Sequence, residues 1–238
     1  DWPEKVLKAL SDLHLLSKGF QQREKLPSEL QEELLRILGI NTSKAQLLEQ
    51  QGEMDNWMVV GQFEGTNIDN AAVRRTWFKG QETGRFALIL EYDYQGAGFP
   101  THWALGRIFK GEMIFYPSVF PLRATERNTH LTEEIVENLQ GISKMEDFLQ
   151  QYSDALQQNP WIVDYPVTFS EVVPQFIDGQ LYLTDTNNHA IPSLDLYNNG
   201  WKMVALSGGK AIEVFGEWTG KEFHPLGCVA NGRFIPLK

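Results

Sequence analysis

The run Val73-Arg-Arg-Thr-Trp-Phe-Lys-Gly-Gln-Glu-Thr-Gly-Arg-Phe-Ala-Leu-Ile-Leu-Glu-Tyr-Asp-Tyr94 constrains the fold more than any other stretch, because it reads as a β-hairpin. In its second half Phe86, Leu88, Leu90, Tyr92 and Tyr94 fall on one face of an extended chain, with Glu91 and Asp93 on the other. That is the period-two pattern of a half-buried strand. In its first half Val73, Arg75, Trp77 and Lys79 alternate with Arg74, Thr76 and Phe78, so both faces are amphipathic. A sheet is the expected scaffold.

Helices are expected before it. Val6, Leu10, Leu13 and Phe20 follow a three-to-four spacing, and Pro3 suits a first helical turn. Ser28 with Gln31 opens a second helix through Leu30, Leu34, Leu35 and Leu38, with Gly39 as its stop, and Thr42 or Ser43 caps a short third. Strands are expected from Trp57 to Phe63, in the hairpin and from Trp103 to Tyr116, with Gly96–Pro100 as a loop. Helix is predicted again over Leu131–Leu139 and after Ser143, where Glu146 completes a capping box, ending at Asn159-Pro160. Beyond it, Asp178-Gly179, Asn199-Gly200, Thr219-Gly220 and Asn231-Gly232 mark hairpin turns of a meander or small barrel. Helices followed by strands in blocks imply an α+β fold rather than a parallel βαβ sheet. The expected division is a helical cap (1–52), a mostly antiparallel β-rich unit (53–130), a helical connector (131–159) and a second β-rich unit (160–238); no fixed-period repeat is evident.

With 238 residues the chain can bury a substantial core. It carries no apolar run of the roughly 20 residues that span a bilayer, and its first residues lack the basic and apolar regions of a signal peptide. A cytosolic location with no membrane contact is the expectation. The single Cys228 excludes an intramolecular disulfide or a multi-cysteine zinc cluster, so no cofactor is expected. A net charge of −10 argues against general affinity for DNA. The charge is uneven, however: residues 70–127 hold eight Lys/Arg against five Asp/Glu, and residues 128–238 hold six against fourteen. A locally basic face is therefore compatible with an acidic molecule.

Arg74, Arg75, Trp77 and Lys79 set cations beside an aromatic, the combination that stacks a base and holds its phosphate. Arg85, Arg107 and Arg123 would extend the patch. The competing reading packs Trp77 or Phe78 in the core, with the long cations covering its rim. Tyr116-Pro117 through Phe120-Pro121, with Arg123, forms an aromatic edge suited to a partner strand or peptide, although prolines also simply end sheet pairing. Asp185-Thr-Asn-Asn-His189 resembles the start of a calcium loop but lacks its glycine and closing glutamate, and reads as a polar turn. His224 and Cys228 would share a strand face over 12 Å apart, too far for a nucleophile pair. Ser207-Gly-Gly-Lys210 lacks the rest of a phosphate loop and reads as a turn, and Glu213 and Glu217 share a face with Phe215 that is expected to be solvated.

The segments DWPEKVLKALSDLHLL, VRRTWFKGQETGRFALIL, FYPSVFPLRA, NPWIVDYP and LSGGKAIEVFGEWTGKEFHPL together resemble the region that follows the zinc finger in bacterial SWIM zinc finger family proteins. The defining Cys-x-Cys of that finger is absent, so no zinc ligand carries over to any residue here. The resemblance implies the C-terminal portion of a longer protein and a non-enzymatic, protein-docking role. It also implies MoxR-type ATPases and von Willebrand A-domain proteins as partners, with nucleic-acid binding through the 73–127 region as the alternative.

Overall fold

Apolar side chains on both faces of its strands force this chain to bury each sheet on two sides. The computed structural model describes residues 2–40, 43–66, 71–93, 96–195 and 198–237, apart from the side chains of residues 4 and 5. Thr42 and Tyr94, which carried parts of the reading above, lie outside the described residues. The fold is α+β, and its two antiparallel sheets curl into two small barrels.

Three helices lead in: α1 (Trp2–Gln21), α2 (Ser28–Ile37) and α3 (Lys44–Leu47). Gly39, at a φ of +85°, closes α2, with Gly39 N–H donating to Arg36 O and Ile40 N–H to Leu35 O. Only glycine adopts that left-handed stop at little cost. Ser43 and Gln46 form the capping box of α3.

The first barrel consists of β1 (Glu53–Thr66), β2 (Ala72–Gly80), β3 (Phe86–Asp93), β4 (Arg107–Phe115) and β5 (Ala124–Ile135). β1 pairs with β2 and β4, β2 with β3 and β4 with β5, all antiparallel. A parallel bridge from Leu88 to Arg123 then draws β3 to the start of β5. After α4 (Met145–Gln158), the second barrel runs through β6 (Tyr165–Ile177), β7 (Gln180–Thr184), β8 (Ala190–Ser193), α5 (Asn199–Ser207), β9 (Ile212–Trp218), β10 (Phe223–Ala230) and β11 (Arg233–Pro236). β6 pairs with β7 and β9, β7 with β8 and β9 with β10; a parallel bridge from Ser193 to Phe223 closes the ring, and β11 hairpins onto β10. Both rings therefore share one connectivity, in which the fourth strand returns beside the first and the fifth lies parallel to the third. Such Greek-key closure of five strands is the architecture of OB-fold barrels. The first strand is the longest in each ring and carries a register shift, at Val59/Gly61 in one and Phe169/Val172 in the other.

Three apolar clusters follow from strand alternation. Trp57, Val59, Phe78, Ile89 and Trp103 fill the first barrel, and Val167, Phe169, Leu183, Val214 and Phe223 fill the second, with Phe148 of α4 packed over it. Met58, Val60, Trp77, Phe215 and Leu226 lie between the two. The barrels approach so closely that a side chain at Gly61 would meet the Phe215 ring at 2.6 Å.

Several expectations are corrected. β3 is buried on both faces, with Ala87, Ile89 and Glu91 deeper than Phe86, Leu88 and Leu90. The helix predicted over Leu131–Leu139 is absent: β5 continues to Ile135. Its helix-like spacing reflects an irregular ladder, in which Phe109 faces Leu131 while Arg107 faces Ile135. Ser143 does not cap α4; the first N–H, of Met145, donates instead to Asp185 Oδ2 at 2.8 Å, a cap supplied by the β7–β8 turn. Ser28 likewise makes no side-chain cap to α2. Asn199-Gly200 starts α5 rather than a hairpin, and Gly208-Gly209 follows that helix, not a strand. Asp178-Gly179 and Asn231-Gly232 do form two-residue hairpins with positive φ at both positions.

Replacing Gly61 by Val is expected to lower stability by about 1–3 kcal/mol through overpacking between the barrels. Urea unfolding checks this, and an unchanged midpoint would contradict the close approach.

Candidate functional site

The charged groups singled out in the sequence meet one another across the inter-barrel seam. The two-residue period of β2 turns Arg75, Trp77 and Lys79 toward the second barrel, and that of β9 turns Glu213, Phe215 and Glu217 toward the first. The Arg75 guanidinium donates to Glu217 Oε2 at 2.6 Å and to Asp164 Oδ2 at 2.7 Å, while the Trp77 indole N–H donates to Glu217 Oε1 at 2.6 Å. Trp77 also meets Phe215 edge-on, with ring centroids 6.2 Å apart. Lys79 Nζ donates to the carbonyls of Leu139 (2.7 Å) and Gln140 (2.6 Å), and Glu213 accepts the Leu139 N–H. Glu217, fully buried, thus has both oxygens bonded to the opposite barrel. A solvated face for Glu213 and Glu217 is not what the structure holds, because the basic face of β2 covers them.

His224 Nδ1 lies 3.7 Å from Glu217 Oε2, and its ring stands edge-on to Phe63 at 5.2 Å. Phe63 in turn takes the Arg75 guanidinium over its face at 4.7 Å. A cavity of about 180 Å³ opens beside them, lined by Gln62, Phe63, His224 and Leu226. Burial, with Glu217 nearby, raises the Asp164 carboxyl above its ordinary range against the pull of Arg75. Burial lowers Lys79 to about 8, opposed by Glu213. A register shift between Pro225 and Gly227 separates His224 from Cys228, which packs inside the second barrel with its thiol pushed up to about 11 by burial. The two do not share a face as simple alternation requires. Asp185 does form a polar turn, accepting the N–H groups of Asn187 and His189 at 2.9 Å each. Among the described residues, no three His, Cys, Asp or Glu side chains gather as metal ligands, and no helix is long and apolar enough to cross a membrane.

The remaining predicted residues do not converge. Arg74 faces the interior of the first barrel, where it bonds Glu91 at 2.8 Å and the Thr101 carbonyl. Arg85 pairs with Glu53 and stacks on Phe115, and Arg107 donates to the Thr132 carbonyl at 3.0 Å. Tyr116 and Arg123 stay together, with the guanidinium 4.5 Å over the ring, in a groove along the outer edge of β3.

That groove is the open feature of the molecule. Leu88 N–H donates outward to Leu122 O at 2.7 Å; Leu90, two residues on and turned the same way, lines the groove. Two cavities of about 380 and 460 Å³ share Leu90, Tyr92, Tyr116 and Arg123 in their walls. The larger reaches Lys44 and Thr125; the smaller reaches α2 and Trp161, whose buried indole N–H has no hydrogen-bond partner. Glu33 at its floor is bonded to Arg36 and to Asn159 Nδ2, the latter at 2.9 Å. The Tyr116–Arg123 edge was legible in the sequence, whereas the roles of Leu90 and Trp161 were not, since neither carries a distinguishing motif.

Stability is expected to rise between pH 8 and 10.5, where folded Lys79 has released its proton and the unfolded chain still holds one: a lysine depressed in the fold contributes stability above its unfolded pKa and loses it as pH falls through the folded one. Comparing denaturation of the native chain with Lys79→Met across that window should show the native chain gaining by up to about 1.4 kcal/mol per pH unit. Parallel curves would contradict it.

Compared with family models, curated proteins and solved structures, the chain matches none.

Proposed function

We propose that this chain is a non-enzymatic protein-docking module that receives an extended peptide segment of its partner along the outer edge of β3. The observation that carries the reading is the conjunction, in one groove, of an exposed strand edge at Leu90 with aromatic walls and a cation, Arg123, that stacks on Tyr116. A strand edge supplies main-chain hydrogen bonds to an added strand, and flanking pockets select its side chains. Arg123 offers the segment one charged donor at the groove's centre.

Fold analogy points to the same place. In OB-type barrels the face of the second and third strands and the loop between the fourth and fifth bind oligonucleotides and oligosaccharides; here the second barrel covers the β2 part of that face, which leaves β3 and residues 116–123. Arg75, Trp77 and Lys79 are committed to the seam, and Arg85 and Arg107 have partners elsewhere, so the groove offers little to a polyphosphate.

A purified MoxR-type ATPase and a purified von Willebrand A-domain protein, the classes implied by the family resemblance, are the first partners to titrate. At least one is expected to bind, and Arg123→Glu is expected to weaken binding about tenfold or more. Leu90→Pro removes an edge N–H that the β2–β3 ladder does not use, and should weaken it similarly while thermal unfolding stays unchanged. Binding of neither protein, indifference to both substitutions, or salt-steep binding of single-stranded DNA instead would overturn the reading.

A further inference from the structure

Helix α1 is expected from its spacing to cap something, yet it leaves its apolar stripe in solvent. Trp2 is 75 % exposed, Leu13 64 %, Leu10 59 %, Phe20 49 % and Val6 46 %. The helix touches the body near its C-terminal end, where Gly19 packs against Leu34 of α2 and Trp161. Apart from Leu16, which is half-buried, the stripe is left uncovered by the described residues.

Its sequence is specific. Trp2, Val6, Ala9, Leu13, Leu16 and Phe20 recur at alternating four- and three-residue steps, the spacing that lines residues up on one helix face. The order of sizes is also self-complementary. Under a twofold axis near residue 11, Trp2 meets Phe20 of a second copy, Val6 meets Leu16 and Ala9 meets Leu13, and the same three layers repeat in reverse. Leu10 widens the stripe next to the axis, and the Lys8–Asp12 ion pair, at 3.1 Å, lies off it. We propose that α1 is a self-association element through which two copies of this chain pair by antiparallel α1–α1 contact.

The area is sufficient. Apolar surface exposed on the stripe is on the order of 600 Å² per copy, hence about 1,200 Å² in the pair, at the lower bound of specific interfaces. The stripe residues line neither groove cavity, so the two proposals are tested by different substitutions.

Sedimentation velocity of the purified chain is expected to show a reversible dimer that Leu13→Glu converts to monomer with the far-ultraviolet spectrum and thermal unfolding of the barrels unchanged. Orientation is read by oxidation, since Cys228 is buried. A mixture of Trp2→Cys and Phe20→Cys chains should cross-link readily, while Phe20→Cys alone should not. A monomer at all concentrations, a dimer indifferent to Leu13→Glu, or ready self-linking of Phe20→Cys would overturn the proposal. So would a monomer that binds anionic phospholipid vesicles through α1, which would make the stripe a membrane-surface element.

Discussion

The buried carboxylate of Glu217, held by Arg75 and Trp77 of the opposite barrel, is the contact on which the architecture depends. A barrel of about seventy residues has little core of its own, and here each presents a large apolar outer face at Met58, Val60, Phe215 and Leu226 that must be covered. Pressing those faces together would strand a glutamate away from water unless donors met it. β2 supplies them at the right spacing, since alternate residues of two facing strands advance together. Losing Arg75 would leave the buried Glu217 charge uncompensated, which typically costs about 3–5 kcal/mol. Glycines complete the fit: Gly61 admits the Phe215 ring, and Gly227 lies against the Val60 carbonyl.

Much of the architecture was legible in the residues. The β2–β3 hairpin, the glycine stop of α2, the cap at Ser43 and the two-residue turns at Asp178 and Asn231 all rest on local chemistry, and each is found where that chemistry puts it, whereas the capping signatures at Ser28 and Ser143 are not used. What failed was tertiary. The stretch from Leu131 looked helical because bulges in the β4–β5 ladder spread its apolar residues to helical spacing. Asn199-Gly200 carried a hairpin signature, yet an αL residue at Asn198 turns the chain into a helix. The basic stripe on β2 and the acidic stripe on β9 were each visible, but sequence treated them as two solvent faces, because nothing local says that two stripes 140 residues apart are complementary. The duplication was hidden for the same reason: the barrels share connectivity and the place of their bulges, not a residue period.

The proposed docking groove is separate from the seam. Groups with perturbed protonation, Asp164 and Lys79, belong to contacts that hold the barrels in register, and their shifts follow from burial. Structural ion-pair networks perturb protonation as readily as catalytic ones do. The accessible surface lies instead where the first barrel gapes between β3 and β5, while the second barrel is closed by its own bridge and packed by α4 and α5. A rigid frame with a groove beside a strand edge is a physical basis for docking an extended segment. The projecting α1 adds a separate means of assembly.

The most direct test of the central claim, that the seam makes the two barrels one cooperative unit, is hydrogen exchange followed by mass spectrometry along a urea titration, reading peptides from β2–β3 and from β6–β7 separately. A single coincident transition for both barrels is the predicted result, because neither can expose its outer face without stripping the buried Glu217 of its donors. Two transitions at different urea concentrations would contradict it and would show the barrels to be independent domains that merely touch.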